Sequence, residues 1–405
     1  MLFRTGLLLA LTGCMTNNAG NVAATKLGDT SHPARRGSPV DEVRAACGDG
    51  GVTAAGTMIK RAPYLQQVTT DSAMIGWVTT KGMPDEHVQF ASADELERTM
   101  ATAEPADAIT RSADEVQMWS TLTGLGAASI TCYGVEDIHG AIVETTGFRT
   151  APLATSSEPV RFLAFGDSGG GGSDQQALVD QMYTVPYELM IHTGDLAYDN
   201  GTISQIEDTV FAVYADILRN IPFFPSAGNH DTETMNGAPF RDVWSLPGAG
   251  DRKYYSYDWG RVHFVALDTE ASYVTQATWL DEDLAKTTLP WKIVYFHRPP
   301  YSSGQHGSDT SLRRAWAPIF ERHGVQLVLS GHDHDYERMT PQNGVAYVVT
   351  GGGGVGTRPV GDSSFTAFAE EVIHFVYVEV GTDEAVLHAI DASGTEFDSM
   401  VIPRG

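Results

Sequence analysis

The stretch Leu329–Arg338, LSGHDHDYER, governs the interpretation of the whole chain. It completes the aliphatic run VQLVLS and then places two histidines, two aspartates, a glutamate and an arginine close together. Such groups are costly to remove from water unless another group compensates them. The stretch therefore predicts a buried strand that ends at a charged site.

Apolar strands end in oxygen or nitrogen donors at several other points of the chain. The endings are VRFLAF before Gly166-Asp167, ELMIHT before Gly194-Asp195, PFFPSA before Gly228-Asn229-His230, KIVYF before His297, and VQLVLS before Gly331-His332-Asp333-His334. Glycine permits a sharp backbone turn before most of these donors. Because functional groups gather outside the carboxyl ends of strands in α/β sheets, we expect these side chains to converge.

The number of converging donors exceeds what one metal ion needs. Zinc-like ions take about four ligands and hard octahedral ions about six. Two ions fit the set if one carboxylate bridges them, and such a pair can hold both oxygens of a phosphoryl displacement. His332 and His334 are two residues apart, so in an extended segment they face the same way and can serve different ions.

The N-terminus predicts an exported protein. Residues 1–14, MLFRTGLLLALTGC, combine Arg4, a short apolar run and small residues, and the run is too short to span a bilayer. The ending LTGC resembles a bacterial lipobox, which would make Cys14 the lipidated mature N-terminus. An ordinary cleaved secretory signal, with Cys14 incidental, is the alternative. The expected location is the bacterial cell envelope through a lipid anchor, or the medium.

Composition divides the remainder into a tether and two domains. Residues 15–57 are rich in small polar residues and predict a flexible tether. Residues 58–152 contain short β-prone runs and predict a small β-sandwich. Residues 153–405 alternate strands with helical patterns, including one over 203–218 and one from 311 to a stop at Gly324, and predict an α/β domain closed by antiparallel strands.

Net charge limits the types of ligand that the protein can bind, and the cysteines allow a disulfide. Acidic residues outnumber basic ones 51 to 26, and the net charge of -25 argues against binding a nucleic-acid backbone. An anionic substrate would have to be attracted by local positive charge. Cys47 and Cys132 can pair in an oxidising compartment, but their spacing does not decide whether they do. The sequence does not indicate an oligomeric state.

In this order, the motifs GDSG, GDLAYDNG, GNHD, FHRPPY and GHDHDYER resemble those of the calcineurin-like metallophosphoesterases. They look most similar to the purple acid phosphatase branch, whose members also carry an N-terminal fibronectin-like or Ig-like sandwich. The resemblance covers about residues 61–380. It implies a catalytic core of two packed mixed β-sheets flanked by helices, preceded by a small all-β domain.

The resemblance also implies a ligand set for two metals. The first metal would be bound by Asp167, Asp195, Tyr198 and His334; the second would be bound by Asp195 as a bridge together with Asn229, His297 and His332. Tyr198 stands where the branch has a tyrosinate ligand of Fe(III), which implies Fe(III) beside Fe(II), Zn(II) or Mn(II). A packed tyrosine beside an all-divalent site is the alternative.

Two further histidines receive catalytic roles from the same resemblance. His230 would contact the substrate phosphate, and His306 would approach the leaving group, although Gly307 follows it where plant members have a second histidine. The hypothesis is attack on phosphorus by a metal-bound hydroxide without a phosphoenzyme. The glycine run GGGGVG, Gly351–Gly356, lacks the lysine and helix of a P-loop and is interpreted as flexible backbone at the pocket rim.

The expected function is that of a phosphomonoesterase, similar to an acid phosphatase, that acts on small phosphate esters. A phosphodiesterase or nucleotidase would use the same site and is the closest alternative. A surface binding protein with an inactive catalytic domain is the alternative from another class. The only membrane contact expected is through the lipid anchor.

Overall fold

A computed structural model describes residues 33–50, 59–81, 87–95, 97–136, 142–248 and 253–405. The predictions of a signal peptide over residues 1–14 and of lipidation at Cys14 lie outside the described residues. So do the parts of the predicted tether before residue 33 and over residues 51–57. No helix in the described part of the chain is both long and apolar enough to cross a bilayer.

Residues 33–50 pack against the folded body, so the prediction of a flexible tether is wrong for this segment. Helix α1, Asp41–Cys47, buries Val43. Arg44 forms an ion pair with Asp216 of the α/β core, with Nη2 and Oδ2 2.8 Å apart. Cys47 forms a disulfide with Cys132, the pairing that the sequence left open. Together these contacts offset the conformational entropy that residues 33–50 lose when they become ordered.

The strands that follow are all antiparallel. They are β1 Ile59–Gln66, β2 Ser72–Thr80, β3 His87–Ser92, β4 Thr99–Ala106, β5 Glu115–Thr123, β6 Ile130–Glu136 and β7 Ile142–Arg149. Their order is β1-β2-β5-β4-β3-β6-β7, and β4 pairs with both β3 and β5. Inward-facing side chains such as Trp77, Leu122 and Phe148 form the interior of this all-β region, because alternate residues of a strand face opposite sides. Its likeness to fibronectin domains stays a prediction.

The α/β core contains the remaining strands. They are β8 Val160–Phe165, β9 Leu189–His192, β10 Phe223–Pro225, β11 Tyr255–Trp259, β12 Val262–Ala266, β13 Trp291–Tyr295, β14 Leu327–Ser330, β15 Tyr336–Met339, β16 Ala346–Thr350, β17 Thr366–Glu370, β18 His374–Val380, β19 Glu384–Asp391 and β20 Glu396–Pro403. Both of the sheets they form within the described residues are mixed, as the sequence predicted. One has the order β10-β9-β8-β18-β19-β20 and the other β11-β12-β13-β14-β16-β15-β17.

The sheets pack face to face, and their parallel strands point toward one edge of the core. Phe162 of β8 and Phe264 of β12 meet edge to face, with ring centroids 5.3 Å apart. The parallel strands are β8, β9 and β10 in one sheet and β12, β13, β14 and β16 in the other. Their apolar runs are buried on both faces, which is characteristic of parallel strands covered by other layers.

Helices cover the outer faces. They are α2 Ser173–Met182, α3 Ile203–Ile206, α4 Ala212–Leu218, α5 Asn229–Glu233, α6 Ala238–Val243, α7 Tyr273–Lys286 and α8 Thr310–His323, and a π-helical turn, Glu207–Phe211, joins α3 to α4. The helix predicted over 203–218 is therefore present with this turn inside it. Helix α8 is capped by the Asp309 carboxylate and ends at Gly324 in the left-handed conformation, so its predicted stop is confirmed.

A buried ion pair joins the all-β region to the α/β core. Arg61 of β1 donates from Nε and Nη2 to Glu207 Oε1 at 3.0 and 2.5 Å, and from Nη1 to Gln117 at 2.6 Å. Its guanidinium lies over the Phe211 ring, 4.1 Å from the centroid. Because Arg61 is only 3% exposed, its charge is compensated by these contacts rather than by water.

Candidate metal centre

The predicted donors meet at the edge where the parallel strands end. Asp167 follows β8, Asp195 follows β9, and Asn229 lies at the start of α5 just after β10. His297 follows β13, and both His332 and His334 follow β14. Donors from both sheets thus reach the same place, because the two sheets pack with these strand ends adjacent.

One group of donors, cluster A, consists of Asp167, Asp195, Tyr198 and His334. The Tyr198 hydroxyl lies 3.0 Å from Asp167 Oδ1 and 3.1 Å from Asp195 Oδ2. Nε2 of His334 lies 3.3 Å from that hydroxyl and 3.5 Å from Asp167 Oδ1. Carboxylate, phenol and imidazole atoms therefore face one another around a small common space.

A second group, cluster B, consists of Asp195, Asn229, His297 and His332. Nε2 of His297 lies 3.1 Å from each of Asp195 Oδ2, Asn229 Oδ1 and His332 Nδ1. Donor atoms of Asp195, His297 and His332 all lie within 4.8 Å of one another, and the three residues are buried. Asp195 belongs to both clusters, which is the position of a bridging carboxylate.

The electrostatics of the clusters favour a bound cation. Burial lowers the pKa of His297, but Asp195 and Asp167 outweigh burial and raise it to about 10. Burial, with the two carboxylates adding to it, raises the pKa of Tyr198 far above its ordinary value. Burial, with Asp195 adding to it, raises the pKa of Asp167, although His297 opposes the shift. In the metal-free chain protons thus compensate the buried charge, and a metal ion would replace them.

Two other imidazoles are held neutral, as metal ligation requires. Burial is the largest cause that lowers the pKa of His332 to about 2 and of His334 to about 4. Nearby cations add to the effect, since His297 acts on His332 and Arg358 acts on His334. Their lone pairs are therefore available at neutral pH.

Several of the donors are held in an uncommon backbone conformation. Asp167, Asp195 and His332 have φ angles of 58°, 58° and 71°. Non-glycine residues adopt this region rarely, at a cost on the order of 1–3 kcal/mol each, and do so mostly at functional sites. Neighbouring amides fix the carboxylates in place: His332 N–H donates to Asp167 Oδ2 at 2.8 Å, and His230 N–H donates to Asp195 Oδ1 at 2.9 Å.

Asp231 orders the loop backbone behind cluster B. Its carboxylate is fully buried and accepts hydrogen bonds at 2.9 Å from the N–H groups of Asp195, Leu196 and Gly228. These amides belong to the loops after β9 and β10. Asp231 therefore ties together two of the strand endings that present metal donors.

Two glycines at the site are required by close packing. A Cβ on Gly331 would lie 2.4 Å from Asp167 Oδ2, and a Cβ on Gly351 would lie 2.1 Å from the carbonyl oxygen of Asp333. The interpretation of Gly351–Gly356 as flexible backbone is wrong for its first part. Residues 351–354 are buried against the loops that carry the candidate metal donors, because only glycine leaves room for that approach.

His230 lies beside cluster A. Its ring packs on the Tyr198 ring, with centroids 4.3 Å apart. Nδ1 lies 2.5 Å from the carbonyl oxygen of Asp199, which can only accept, so Nδ1–H donates this hydrogen bond. Nε2 has no hydrogen bond to any residue that the structure describes, and this nitrogen can meet a ligand at the site.

His306 lies beside cluster B, together with two arginines that the sequence analysis did not assign. The His306 ring stacks on the His332 ring, with centroids 4.2 Å apart, and its Nε2 accepts a hydrogen bond from Arg358. Arg298 Nη1 lies 3.2 Å from His332 Nε2. Partial burial lowers the pKa of His306, Asp333 opposes the shift and Arg358 adds to it. Arg298 could have been assigned to the site from the sequence, because it directly follows His297. Arg358 could not, because it lies far along the chain from the predicted donors.

Comparison with known families agrees with this geometry. Residues 160–336 match the calcineurin-like phosphoesterase family. This segment contains every residue of clusters A and B.

Relatives of known sequence include acid phosphatases. An uncharacterised protein of Mycobacterium tuberculosis is 28% identical over 262 residues, which cover 53% of this chain and 49% of that protein. Pig tartrate-resistant acid phosphatase type 5 is 25% identical over 337 residues, 71% of this chain and 96% of the pig protein. Purple acid phosphatase 18 of Arabidopsis thaliana is 29% identical over 222 residues, 48% of this chain and 50% of the plant protein. The chain thus spans about half the length of the mycobacterial relative.

Solved structures share the fold. A purple acid phosphatase from yellow lupin seeds superposes with a TM-score of 0.74 at 21% identity, over 85% of this chain and 74% of the lupin chain. A structure of PhoD superposes with a TM-score of 0.61 at 13% identity, over 84% of this chain and 88% of the other.

Proposed function

We propose that this chain is a dinuclear-metal phosphomonoesterase that hydrolyses small phosphate esters. The observation that carries the proposal is that clusters A and B share the Asp195 carboxylate. Beside this shared carboxylate, cluster A adds a second carboxylate, a phenol and an imidazole, and cluster B adds an amide oxygen and two imidazoles, which is the ligand chemistry of hard to borderline metal ions. Such a pair of ions, when bound, lowers the pKa of water and polarises a phosphoryl group.

Tyr198 supports iron as the metal of cluster A. Its hydroxyl already lies at hydrogen-bonding distance from both carboxylates, so loss of the proton would present a hard anionic oxygen between them. Fe(III) suits that donor, with Fe(II), Zn(II) or Mn(II) in cluster B. An all-divalent site beside a neutral Tyr198 is the alternative, and the visible spectrum distinguishes the two.

The chain's own side chains would bind and orient the phosphate. His230 packs beside Tyr198 of cluster A, its Nε2 makes no hydrogen bond within the described residues, and it would stabilise charge on the phosphoryl oxygens. His306, on the side of cluster B, would contact the leaving group. Arg298 and Arg358 supply positive charge beside the site, which offsets locally the net charge of -25.

We also propose that the protein is exported. The Cys47–Cys132 disulfide supports this proposal, because disulfides persist mainly in oxidising compartments. The signal and lipidation proposals at residues 1–14 are tested by mass spectrometry of the mature N-terminus. A mature chain that begins at a diacylated Cys14 supports the lipid anchor, and a retained Met1 contradicts both.

Turnover of p-nitrophenyl phosphate, measured beside elemental analysis of the purified protein, tests the function. We expect wild type to bind two metal ions per chain and to release p-nitrophenol. His297→Ala should lose metal from cluster B and lose most activity, because His297 lies 3.1 Å from three other donors. His323→Ala is the matched control, since His323 lies at the end of α8 and pairs with Asp281. A metal-free wild type that is fully active would refute the proposal.

The same assay separates the competing functions. Turnover of bis(p-nitrophenyl) phosphate at a higher kcat/KM than the monoester would replace the monoesterase proposal with a phosphodiesterase. Two bound metals without turnover of either ester would favour the surface binding protein instead.

A further inference from the structure

Three acidic residues of the motif GHDHDYER belong to neither metal cluster. They are Asp333, Asp335 and Glu337, and each of them is 0% exposed. Buried carboxylates need donors that compensate them. For Asp333 and Glu337 those donors come from residues 302–306, in the loop between β13 and α8. These two acids therefore anchor a loop that reaches the site.

The Asp333 carboxylate fixes this loop at two points. The Ser302 hydroxyl donates to Oδ2 at 2.5 Å, and the His306 N–H donates to Oδ1 at 2.7 Å. Between these points, the Gly304 N–H donates to Ser302 Oγ at 2.9 Å. Hydrogen bonds to an ionised acceptor are about twice as strong as those between neutral groups. Asp333 therefore holds both ends of residues 302–306, including the amide of His306 itself.

The loop packs closely on the acids. A Cβ on Gly304 would lie 2.5 Å from both Asp333 Cγ and Asp335 Oδ2, so only glycine permits this approach. Glu337 adds a further anchor, because it accepts from the Ser303 N–H at 2.6 Å. Glu337 thus holds the middle of the loop, whereas Asp333 holds the residue that carries the imidazole.

The anchored backbone presents the His306 ring beside cluster B. The ring stacks on that of His332, with centroids 4.2 Å apart and planes 28° apart. Its Nε2 accepts a hydrogen bond from Arg358, so in the neutral ring Nδ1 carries the proton. Nδ1 makes no hydrogen bond to the part of the chain that the structure describes, and its proton can be donated to a ligand.

Asp333 also lies between two metal donors. His332 of cluster B precedes it and His334 of cluster A follows it, and its own N–H donates to the Gly331 carbonyl oxygen at 2.9 Å. The position of His306 is therefore set from the same short segment that carries donors of both clusters. This matters for a reacting group, because a displacement of about 1 Å can cost about 100-fold in rate.

We propose that Asp333 is a positioning residue that holds His306 in place to meet the leaving group of the bound ester. This inference rests on the proposed function, in which His306 contacts the leaving group. Negative charge accumulates on the leaving oxygen as its bond to phosphorus breaks, and Nδ1–H of His306 would stabilise that charge. A more basic leaving oxygen depends more strongly on this hydrogen bond. Loss of Asp333 should therefore slow the hydrolysis of alkyl phosphates more than that of nitrophenyl phosphates.

Two esters with different leaving groups test the proposal by steady-state kinetics. Ethyl phosphate has a strongly basic leaving oxygen, and p-nitrophenyl phosphate has a weakly basic one. In Asp333→Ala we expect kcat for ethyl phosphate to fall about 10- to 100-fold more than kcat for p-nitrophenyl phosphate, because one positioned proton donor contributes about 10²–10⁴-fold. KM for both esters should change less than about threefold, since the groups that bind the phosphate remain. Asp333→Asn, which keeps one acceptor oxygen, should show a smaller difference between the esters.

A double-mutant cycle separates positioning from a purely structural role. His306→Ala should itself slow ethyl phosphate selectively, and adding Asp333→Ala to it should change the ratio of the two kcat values less than about twofold. Asp398→Asn is the matched control, because Asp398 is also buried but accepts from Tyr336 and Arg338 instead of the loop. It should leave that ratio at the wild-type value.

Equal losses for the two esters in Asp333→Ala would overturn the proposal, and so would a full further change of the ratio when it is added to His306→Ala. If the alanine variant does not fold, the asparagine variant decides by the same ratio. A wild type that hydrolyses neither ester would instead refute the proposed function. The two failures are distinguishable, because the ratio is measured against an active wild type.

Discussion

Replacing Asp231 tests whether its buried carboxylate holds in place the loops that carry the candidate metal donors. The carboxylate accepts from the amides of Asp195, Leu196 and Gly228, all at 2.9 Å, and no part of Asp231 is exposed. Asp231→Ala would leave three buried donors unpaired. At about 1–2 kcal/mol for each unpaired donor, we expect a loss of about 3–6 kcal/mol in the free energy of unfolding. That is a large part of the total stability of an ordinary domain, about 5–15 kcal/mol.

Asp231→Asn distinguishes the effect of losing hydrogen-bond acceptors from the effect of losing the side chain itself. Its carbonyl oxygen can replace Oδ2, which accepts from Asp195 and Gly228, while its amide group would face the Leu196 donor. We therefore expect a smaller loss, about 1–2 kcal/mol. Because Asp195 is shared by both clusters, metal affinity should also fall about 10- to 100-fold in the alanine variant.

Urea unfolding followed by tryptophan fluorescence measures the stability, and elemental analysis measures the metal content. Asp174→Ala, an exposed position in the first turn of α2, is the control and should change stability by less than about 1 kcal/mol. An alanine variant with the urea midpoint of wild type would show that these amide contacts do not hold the loops. Equal losses in the alanine and asparagine variants would show that the number of acceptors is not what matters.

Three further predictions concern other parts of the molecule. Tyr198→Phe should remove a broad visible absorption band of the purified protein while leaving it folded; a colourless, active wild type would contradict iron bound to Tyr198. Burial lowers the pKa of His263, but hydrogen bonds to two carboxylates, including Asp283, raise it to about 9. Protonated His263 therefore stabilises the folded protein fully below about pH 6.5, and this contribution disappears above pH 9. His263→Gln should accordingly lose about 2 kcal/mol at pH 6 and little at pH 10 in urea unfolding, and a loss that grows with pH would contradict the assignment. Arg61→Ala should lower the free energy of unfolding by about 3–5 kcal/mol, because it leaves the buried Glu207 without its partner. Replacing both Arg61 and Glu207 by leucine should restore most of that loss in thermal unfolding, and a loss equal to the sum of the single variants would refute the coupling.

The fold of the α/β core was predictable because its strands are apolar runs with abrupt polar endings. Strands that point the same way deliver their last residues to one edge, so Asp167, Asp195, Asn229 and His297 could be expected together from the linear pattern alone. Tyr198 does not end a strand. Its inclusion came from similarity to a family motif, and the structure brings its hydroxyl within 3.1 Å of both carboxylates.

Other features depend on contacts that no local pattern specifies. The packing of residues 33–50 depends on a disulfide to β6 and an ion pair with Asp216, both distant in sequence. Arg358 reaches His306 across 52 residues of the chain. The glycines from Gly351 onward predicted a flexible backbone. In the structure their lack of side chains instead allows neighbouring loops to pack closely.

The central claim is that two cations bind between the strand ends, bridged by Asp195. An anomalous difference map from crystals of the protein purified with its native metals tests this most directly. We predict two peaks about 3.5–4 Å apart, one among the donors of cluster A and the other among those of cluster B. A single peak, or none at these side chains, would contradict the claim.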